Sequence, residues 1–104
     1  MSGIANVLRG EASLVLDGIT HVLRPTFAAL VAAEVEIGPL FAAVERAAAG
    51  NFKLDELVAL FWHCLAPNSA PLTRESFANA VVDAGLAIAT PVLRALLTQI
   101  LQGK

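Results

Sequence analysis

The adjacent pair His63-Cys64 is the first place to look for chemistry in this 104-residue chain. Both side chains ligate zinc, and a histidine can activate a cysteine nucleophile. Neighbouring residues of a helix point about 100° apart, so these two side chains would not converge on one atom. Glu56 could share the histidine's face, which still falls short of the three or four ligands of a zinc site. The pattern favours an inert, buried thiol, and a metal-dependent enzyme is the least favoured alternative.

The remaining polar residues form no catalytic pattern either. His21 falls on the apolar face of a predicted strand with no partner near it in sequence, which indicates a structural histidine. The acid pairs Glu34/Glu36 and Asp55/Glu56 lack the spacing that places two carboxylates on one helical face. No phosphate-binding glycine motif and no basic stripe with interleaved aromatics appear. We therefore predict no enzyme activity, no cofactor, no metal and no nucleic-acid partner.

Composition and charge indicate one small domain with surplus apolar residues. The net charge is −2, and a single cysteine excludes an intrachain disulfide framework. Hydrophobic residues make up 57% of the chain, above the usual ~45–50%. The longest stretch without Asp, Glu, Lys or Arg, Leu57–Thr73, contains two prolines, whereas a membrane-spanning helix needs about 20 mainly apolar residues. We expect a cytoplasmic protein with no signal peptide and no membrane partner.

A β-hairpin over about residues 11–24 is the first element that would position these side chains. Asp17-Gly18 separates two alternating segments, and both residues tolerate the positive φ of a type I′ turn. A two-residue loop fixes the register. The predicted pairs are Leu16–Ile19, Leu14–His21 and Ala12–Leu23 on the core face, with Val15–Thr20, Ser13–Val22 and Glu11–Arg24 on the other. A hairpin is marginal alone in water, so it must lie on the rest of the chain.

Helical segments follow the hairpin. Five helices are predicted. The first runs from an N-cap at Thr26 to Gly38, the second over about 39–49, and the third from about Leu54 to Leu65. The fourth runs from Thr73 to Ala84 and the last from Thr90-Pro91 to the end, with a start near Leu86 as the alternative for the last. The first carries an apolar stripe of Phe27, Leu30, Val31 and Val35 or Ile37. We predict an α+β, predominantly helical fold: an N-terminal β-hairpin packed on four to five short helices. Residues 1–8 would be a loose leader and 9–104 a single domain.

Two of these helices carry more large apolar residues than one buried face requires. The third is apolar nearly all round, which indicates central burial or contact with a partner. Two explanations fit this surplus equally well. One is a small core under an Ala-rich surface, and the other is an interface to a second copy or to another chain. If the surplus is an interface, we expect Leu93, Leu97 and Ile100 of the last helix to bind the partner, with Trp62 and Leu60 as second choice.

Short motifs in a fixed order give this chain a family resemblance. They are Arg9-Gly10-Glu11, Leu16-Asp17-Gly18, Leu23-Arg24, Thr26-Phe27 with Ala28-Ala29-Leu30, an acid before Ile37-Gly38, Leu72-Thr73-Arg74-Glu75 and Asp83-Ala84-Gly85-Leu86. From Arg9 onward the chain resembles the gene transfer agent family of small tail proteins, related to the tail assembly chaperones of long-tailed phages. Ile19-Thr20-His21 and Phe61-Trp62-His63-Cys64 depart from the family's pattern.

The resemblance implies a non-enzymatic role in building a phage-like tail, of a gene transfer agent or prophage, in the bacterial cytoplasm. Such chaperones bind the tape measure protein and help to recruit tail tube subunits, so these two proteins are the implied partners. Some descriptions of the family name a tail tube component instead. A structural component retained in the particle is therefore the alternative. One hairpin supplies little of the β-structure that a tube subunit needs, which favours the chaperone.

Overall fold

The computed structural model of the protein describes residues 11–66 and 72–102. Its elements are β1 (Ala12–Leu16), β2 (Ile19–Leu23), α1 (Phe27–Ile37), α2 (Leu40–Ala48), α3 (Leu54–Cys64), α4 (Arg74–Ala84) and α5 (Leu86–Gln102). An antiparallel hairpin thus packs on a set of five helices, mainly through contacts of β1 with α4 and α5, and the predicted α+β, mostly helical fold is confirmed. The predicted leader at 1–8 and the proline-rich segment at 67–71 lie outside the described residues.

The hairpin has the register that its turn sequence predicts. Leu16 pairs with Ile19 and Leu14 with His21, and the turn residues Asp17 and Gly18 have φ of 52° and 76°. Burial alternates along β1, as expected for a strand with one face on a core. Ile19 is the exception on the core face: it follows the turn directly and is 54% exposed.

The outer edge of β2 is covered by the segment that follows α3. The Arg24 amide donates to the Cys64 carbonyl at 2.6 Å, and the Ala66 amide donates to the Val22 carbonyl at 2.9 Å. These bonds satisfy backbone groups that an edge strand would otherwise present to solvent. They also fix the hairpin directly to the end of the central helix.

The core lies between the hairpin and the helices, and α3 crosses its centre. Along α3 the buried residues are the run from Glu56 to Phe61 and, one turn on, Cys64, which confirms the central burial predicted from its apolar surface. The largest fully buried side chains come from α3, α4, α5 and both strands; they are Phe61, Phe77, Leu14, Leu23, Leu60, Leu96, Val81 and Cys64.

The apolar stripe named for α1 is divided by the fold, and three of its residues face mainly outward. Phe27 is 85% exposed, Val35 84% and Val31 42%. The inner face instead centres on Ala33, which is fully buried. Because α1 is apolar on nearly every side, periodicity does not select a face, whereas small side chains let α1 approach α3 closely.

The last helix begins at Leu86, so the predicted start at Thr90 is wrong and the alternative start is correct. Gly85, with φ of 95°, ends α4, and its carbonyl accepts from the amides of Ile88 and Ala89. Pro91 lies inside the helix, where it removes a single backbone hydrogen bond. The Thr90 hydroxyl donates to the Leu86 carbonyl at 2.6 Å, which satisfies an acceptor in the same turn.

None of the described helices is by itself long and apolar enough to cross a membrane. Only two pairs reach the required length and composition together. These are α1 with α2, bent by 75°, and α4 with α5, bent by 110°.

Candidate functional site

The adjacent residues His63 and Cys64 lie in different environments in the fold. Cys64 is 1% exposed, and burial raises the pKa of its thiol to about 12. A thiol with that pKa is protonated at neutral pH and is a poor nucleophile. His63 instead reaches Glu36 of α1. Across residues 11–66 and 72–102, no three His, Cys, Asp or Glu side chains come together as a metal site would require.

Glu36 is the centre of a charge cluster that joins three helices. Arg74, at the start of α4, donates from Nη1 and Nη2 to its two carboxylate oxygens at 2.6 Å each. His63, near the end of α3, places Nε2 2.6 Å from Oε1. The Arg74 hydrogen bonds are the main cause that lowers the pKa of Glu36 from 4.5 to about 2, with His63 second. All three side chains are partly exposed, so the cluster is a clamp between helices rather than a binding pocket.

We expect this clamp to make stability depend on pH in an acidic window. Because the pKa of Glu36 is lowered by folding, its contribution is present above about 4.5 and is lost as the pH falls towards 2. Glu36→Gln should therefore melt below the wild type at pH 7, and the two curves should converge near pH 2. Since Glu36 is 37% exposed, screening limits the effect to about 1 kcal/mol, or roughly 4–8 °C.

Thermal melts followed by circular dichroism across this range check the prediction. Glu45→Gln is the matched control, because Glu45 lies on the exposed side of α2. If Glu36→Gln and the wild type lose stability in parallel at every pH, the clamp does not contribute to folding.

Glu56 is a buried carboxylate whose role the sequence analysis missed. It is 9% exposed and accepts from Arg46 Nη1 at 2.7 Å and from the Lys53 amide at 2.9 Å. These hydrogen bonds and the Arg46 charge outweigh burial and lower its pKa. Its capping role could have been predicted from its position. Glu56 is the third residue of α3, where a side chain can accept from the amide that precedes the helix.

The five predicted partner-binding residues lie in two different settings. Leu60 is 1% exposed in the core and cannot contact a partner without unfolding. Trp62 is half-buried, with its ring centroid 5.8 Å from that of Phe77. Leu93, Leu97 and Ile100 are partly buried on α5, against the core. The binding role of these residues stays a prediction. Of the five, the residues of α5 and Trp62 are accessible to a partner.

Leu93 and Leu97 form one wall of a groove between α2 and α5, here called the α2–α5 groove. Its volume is about 540 Å³, and the facing wall is built from small side chains of α2. The lining residues are Val44, Ala47, Ala48, Gly50, Thr90, Leu93, Arg94, Leu97, Thr98 and Leu101. Leu101 is 61% exposed at the rim, so large apolar side chains and a small-residue wall meet at an accessible cleft.

A second apolar groove lies between the first half of α3 and α4. It has a volume of about 790 Å³ and is lined by Leu54, Asp55, Val58, Arg74, Glu75, Ala78, Asn79 and Val82. Arg74, whose guanidinium is held by Glu36, closes one part of it. No predicted partner-binding residue lines this groove.

The outer side of α1 is a third apolar surface among the described residues. We call Phe27, Val31 and Val35 the outer stripe. They are spaced four residues apart, so they form one row along the helix. Two of the three are more than four-fifths exposed, which is unusual for residues of this type in a monomer.

Comparison with known families gives one match over nearly the whole chain. A family model described as phage tail tube protein, GTA-gp10, matches residues 9–103. The comparisons with curated proteins and with solved structures returned no match. The matched range contains both strands, all five described helices and the three apolar surfaces.

Proposed function

The chain belongs to the family of the phage tail tube protein, GTA-gp10, and from that premise we propose that it is a tail assembly chaperone. In this role it holds an apolar helical segment of a tail protein, the tape measure protein or a tube subunit, until assembly, and it catalyses no reaction. The α2–α5 groove is the observation that carries the proposal, since it offers an apolar cleft on a helical surface.

The shape and chemistry of the groove support a helical client. Helix-in-groove recognition needs an apolar trough that accepts side chains three and four residues apart. Leu93, Leu97 and Leu101 repeat at a spacing of four along one wall, and the alanines opposite leave room for the client's side chains. Arg94 is the charged residue among those that line the groove, so an acidic residue beside the client's apolar face would complement it.

The alternative is a structural component that stays in the finished particle. The family description itself favours it, because it names a tail tube protein. Against it, the described residues contain a single pair of five-residue strands, which is little β-structure for a subunit of a stacked ring. Stoichiometric amounts of the protein in purified particles would support the structural role, and its absence from them would support the chaperone.

Co-expression with the tape measure protein of the same locus tests the proposal. The affinity-purified complex would be sized by light scattering. We expect a soluble complex with the tape measure protein, which should be insoluble when expressed alone. If no complex forms with the tape measure protein or with the tube protein, and the chain polymerises by itself, the chaperone proposal fails.

Leu97→Asp is expected to reduce client recovery in this pull-down by at least about tenfold, because it places a charge in the wall of the groove. Leu97 also contacts the core, so Leu101→Asp, at the exposed rim, provides a second test that does not disturb folding. Ile88→Asp is the control, since Ile88 is 50% exposed on the same helix and does not line the groove.

Circular dichroism separates the two explanations of a loss of binding. A folded Leu97→Asp or Leu101→Asp variant that still recovers the full amount of client would show that the groove is not the binding site. If Leu97→Asp unfolds while Leu101→Asp stays folded and binds normally, Leu97 belongs to the core alone.

A further inference from the structure

We propose that the outer stripe of α1 binds the outer stripe of a second copy of this chain, with the two helices antiparallel. This inference is independent of the client proposal, because the stripe belongs to a different helix from the α2–α5 groove. It assigns an occupant to the most exposed apolar row among the described residues.

The spacing of the stripe makes it complementary to itself. Val31 lies midway between Phe27 and Val35, four residues from each. When the row is reversed onto a copy of itself, Val31 meets its counterpart at the two-fold axis. Phe27 of each chain then meets Val35 of the other, which pairs a large side chain with a small one. A two-fold interface requires this kind of self-complementarity.

The charges on α1 favour the antiparallel arrangement. Its ionised side chains, Glu34 and Glu36, both lie near the C-terminal end, and its N-terminal end is capped by Thr26. A parallel pair would bring the two Glu34 carboxylates close together, whereas Glu36 faces α3 and α4 of its own chain. An antiparallel pair places each acidic end beside the positive N-terminal end of the partner helix, with Arg24 two residues before the cap. Arg24 and Glu36 already hold ion pairs within their own chain. Glu34 is exposed and uses one carboxylate oxygen to accept from the Leu40 amide at 2.9 Å, so it is the acid of α1 that gains most from the partner's N-terminal end.

The area of the stripe is that of a weak, reversible interface. A fully exposed aromatic side chain offers about 150–250 Å², and Phe27 exposes 85% of its surface. With Val31 and Val35 the stripe contributes roughly 350 Å² of apolar surface per chain, and flanking residues add to this. The total approaches the lower limit of about 1,000 Å² for a specific interface. We therefore expect monomers and dimers in exchange at micromolar concentrations.

Sedimentation equilibrium of the purified full chain tests the proposal. The average mass should rise with concentration from the 10.8 kDa of one chain towards twice that value. Phe27→Asp and Val35→Asp should each remain monomeric, because each buries a charge against an apolar partner side chain. Val82→Asp is the matched control and should dimerise like the wild type, since Val82 is an exposed valine of α4.

Cysteine crosslinking tests the direction of the pairing. In the antiparallel pair, two Val31→Cys chains meet at the axis and should form an intermolecular disulfide. Two Phe27→Cys residues would be separated by about 12 Å along the helix axis and should not. The native Cys64 is buried and does not compete.

The outcomes distinguish this proposal from the chaperone proposal. A wild type that is monomeric at the highest concentration reached, or stripe variants that still dimerise, would overturn it. Equal crosslinking of Phe27→Cys and Val31→Cys would overturn the antiparallel pairing. Each of these measurements uses the chain alone, so the pull-down with a tail protein can succeed or fail independently.

Discussion

Phe77→Ala is expected to lower the free energy of unfolding by about 3–5 kcal/mol, the usual cost of removing a buried phenylalanine. Phe77 is fully buried in α4. Its ring lies edge-on to His21 of β2, with centroids 6.5 Å apart, and 5.8 Å from Trp62 of α3. The cavity would therefore open where the hairpin, α3 and α4 meet. Urea denaturation followed by the fluorescence of Trp62, the single tryptophan, measures the change.

Phe27→Ala is the matched control, because it makes the same chemical change at a side chain that is 85% exposed. It should change the free energy of unfolding by no more than about 0.5 kcal/mol. Both variants should be compared at low chain concentration, where self-association contributes least. Equal losses in the two variants would contradict the outward orientation of α1, and a loss under about 1 kcal/mol for Phe77→Ala would contradict its central position.

The hairpin could be predicted residue by residue, because its determinants are local. A two-residue Asp-Gly loop permits one register, and alternation then decides which face is buried. The Glu11–Arg24 ion pair follows from that register, and the structure contains it. Helix boundaries at Thr26, Gly38, Thr73 and Gly85 were predictable for the same reason, since caps depend on neighbours in sequence.

The orientation of α1 could not be predicted, because it depends on the rest of the fold. The sequence of α1 is apolar almost all round, so several stripes satisfy helical spacing equally well. Which one is buried depends on how α1 packs against α3, and the fully buried residue of α1 is the small Ala33. The error in the predicted start of α5 had a different cause. Thr90-Pro91 has the composition of a helix start, but Gly85 already ends α4 and begins the next turn.

The candidate site was predictable in part. The last helix was selected for its surplus leucines, and Leu93 and Leu97 do line a groove. The other wall, formed by small residues of α2, could not be deduced, since nothing in the sequence brings α2 beside α5. The same limit applies to the clamp around Glu36, whose partners His63 and Arg74 lie 27 and 38 residues away. Surfaces built from distant segments require the tertiary structure.

Three separate apolar surfaces among the described residues are the observations to which the two binding proposals refer. Cys64 is buried and protonated, and His63 is held by a carboxylate, so the two reactive side chains contribute to packing and to the clamp between helices. The accessible surface of residues 11–66 and 72–102 instead includes two grooves and the outer stripe. The two proposals assign the client to the α2–α5 groove and the second copy to the outer stripe, so the two partners would not compete.

Glu56→Ala is expected to lower the free energy of unfolding by about 2–3 kcal/mol at pH 7, because a nearly buried charge pair is costly to break. The carboxylate accepts from Arg46 at 2.7 Å and from the Lys53 amide at 2.9 Å. Without it, the amide at the start of α3 loses its acceptor, and α2 loses its ionic contact with α3. Because folding lowers the pKa of Glu56, the difference from wild type should shrink as the pH falls below about 4.5.

Asp55→Ala is the control for this prediction, since Asp55 is the neighbouring, exposed acid in the same first turn. It should cost at most about 1 kcal/mol, the usual contribution of an acid near a helix N-terminus. A double-mutant cycle with Arg46→Ala then separates the pair from the cap. A coupling energy near zero would assign the loss to the Lys53 amide. A coupling of about 1 kcal/mol or more would show that the Arg46–Glu56 pair fixes α2 to the central helix, and with it the small-residue wall of the α2–α5 groove.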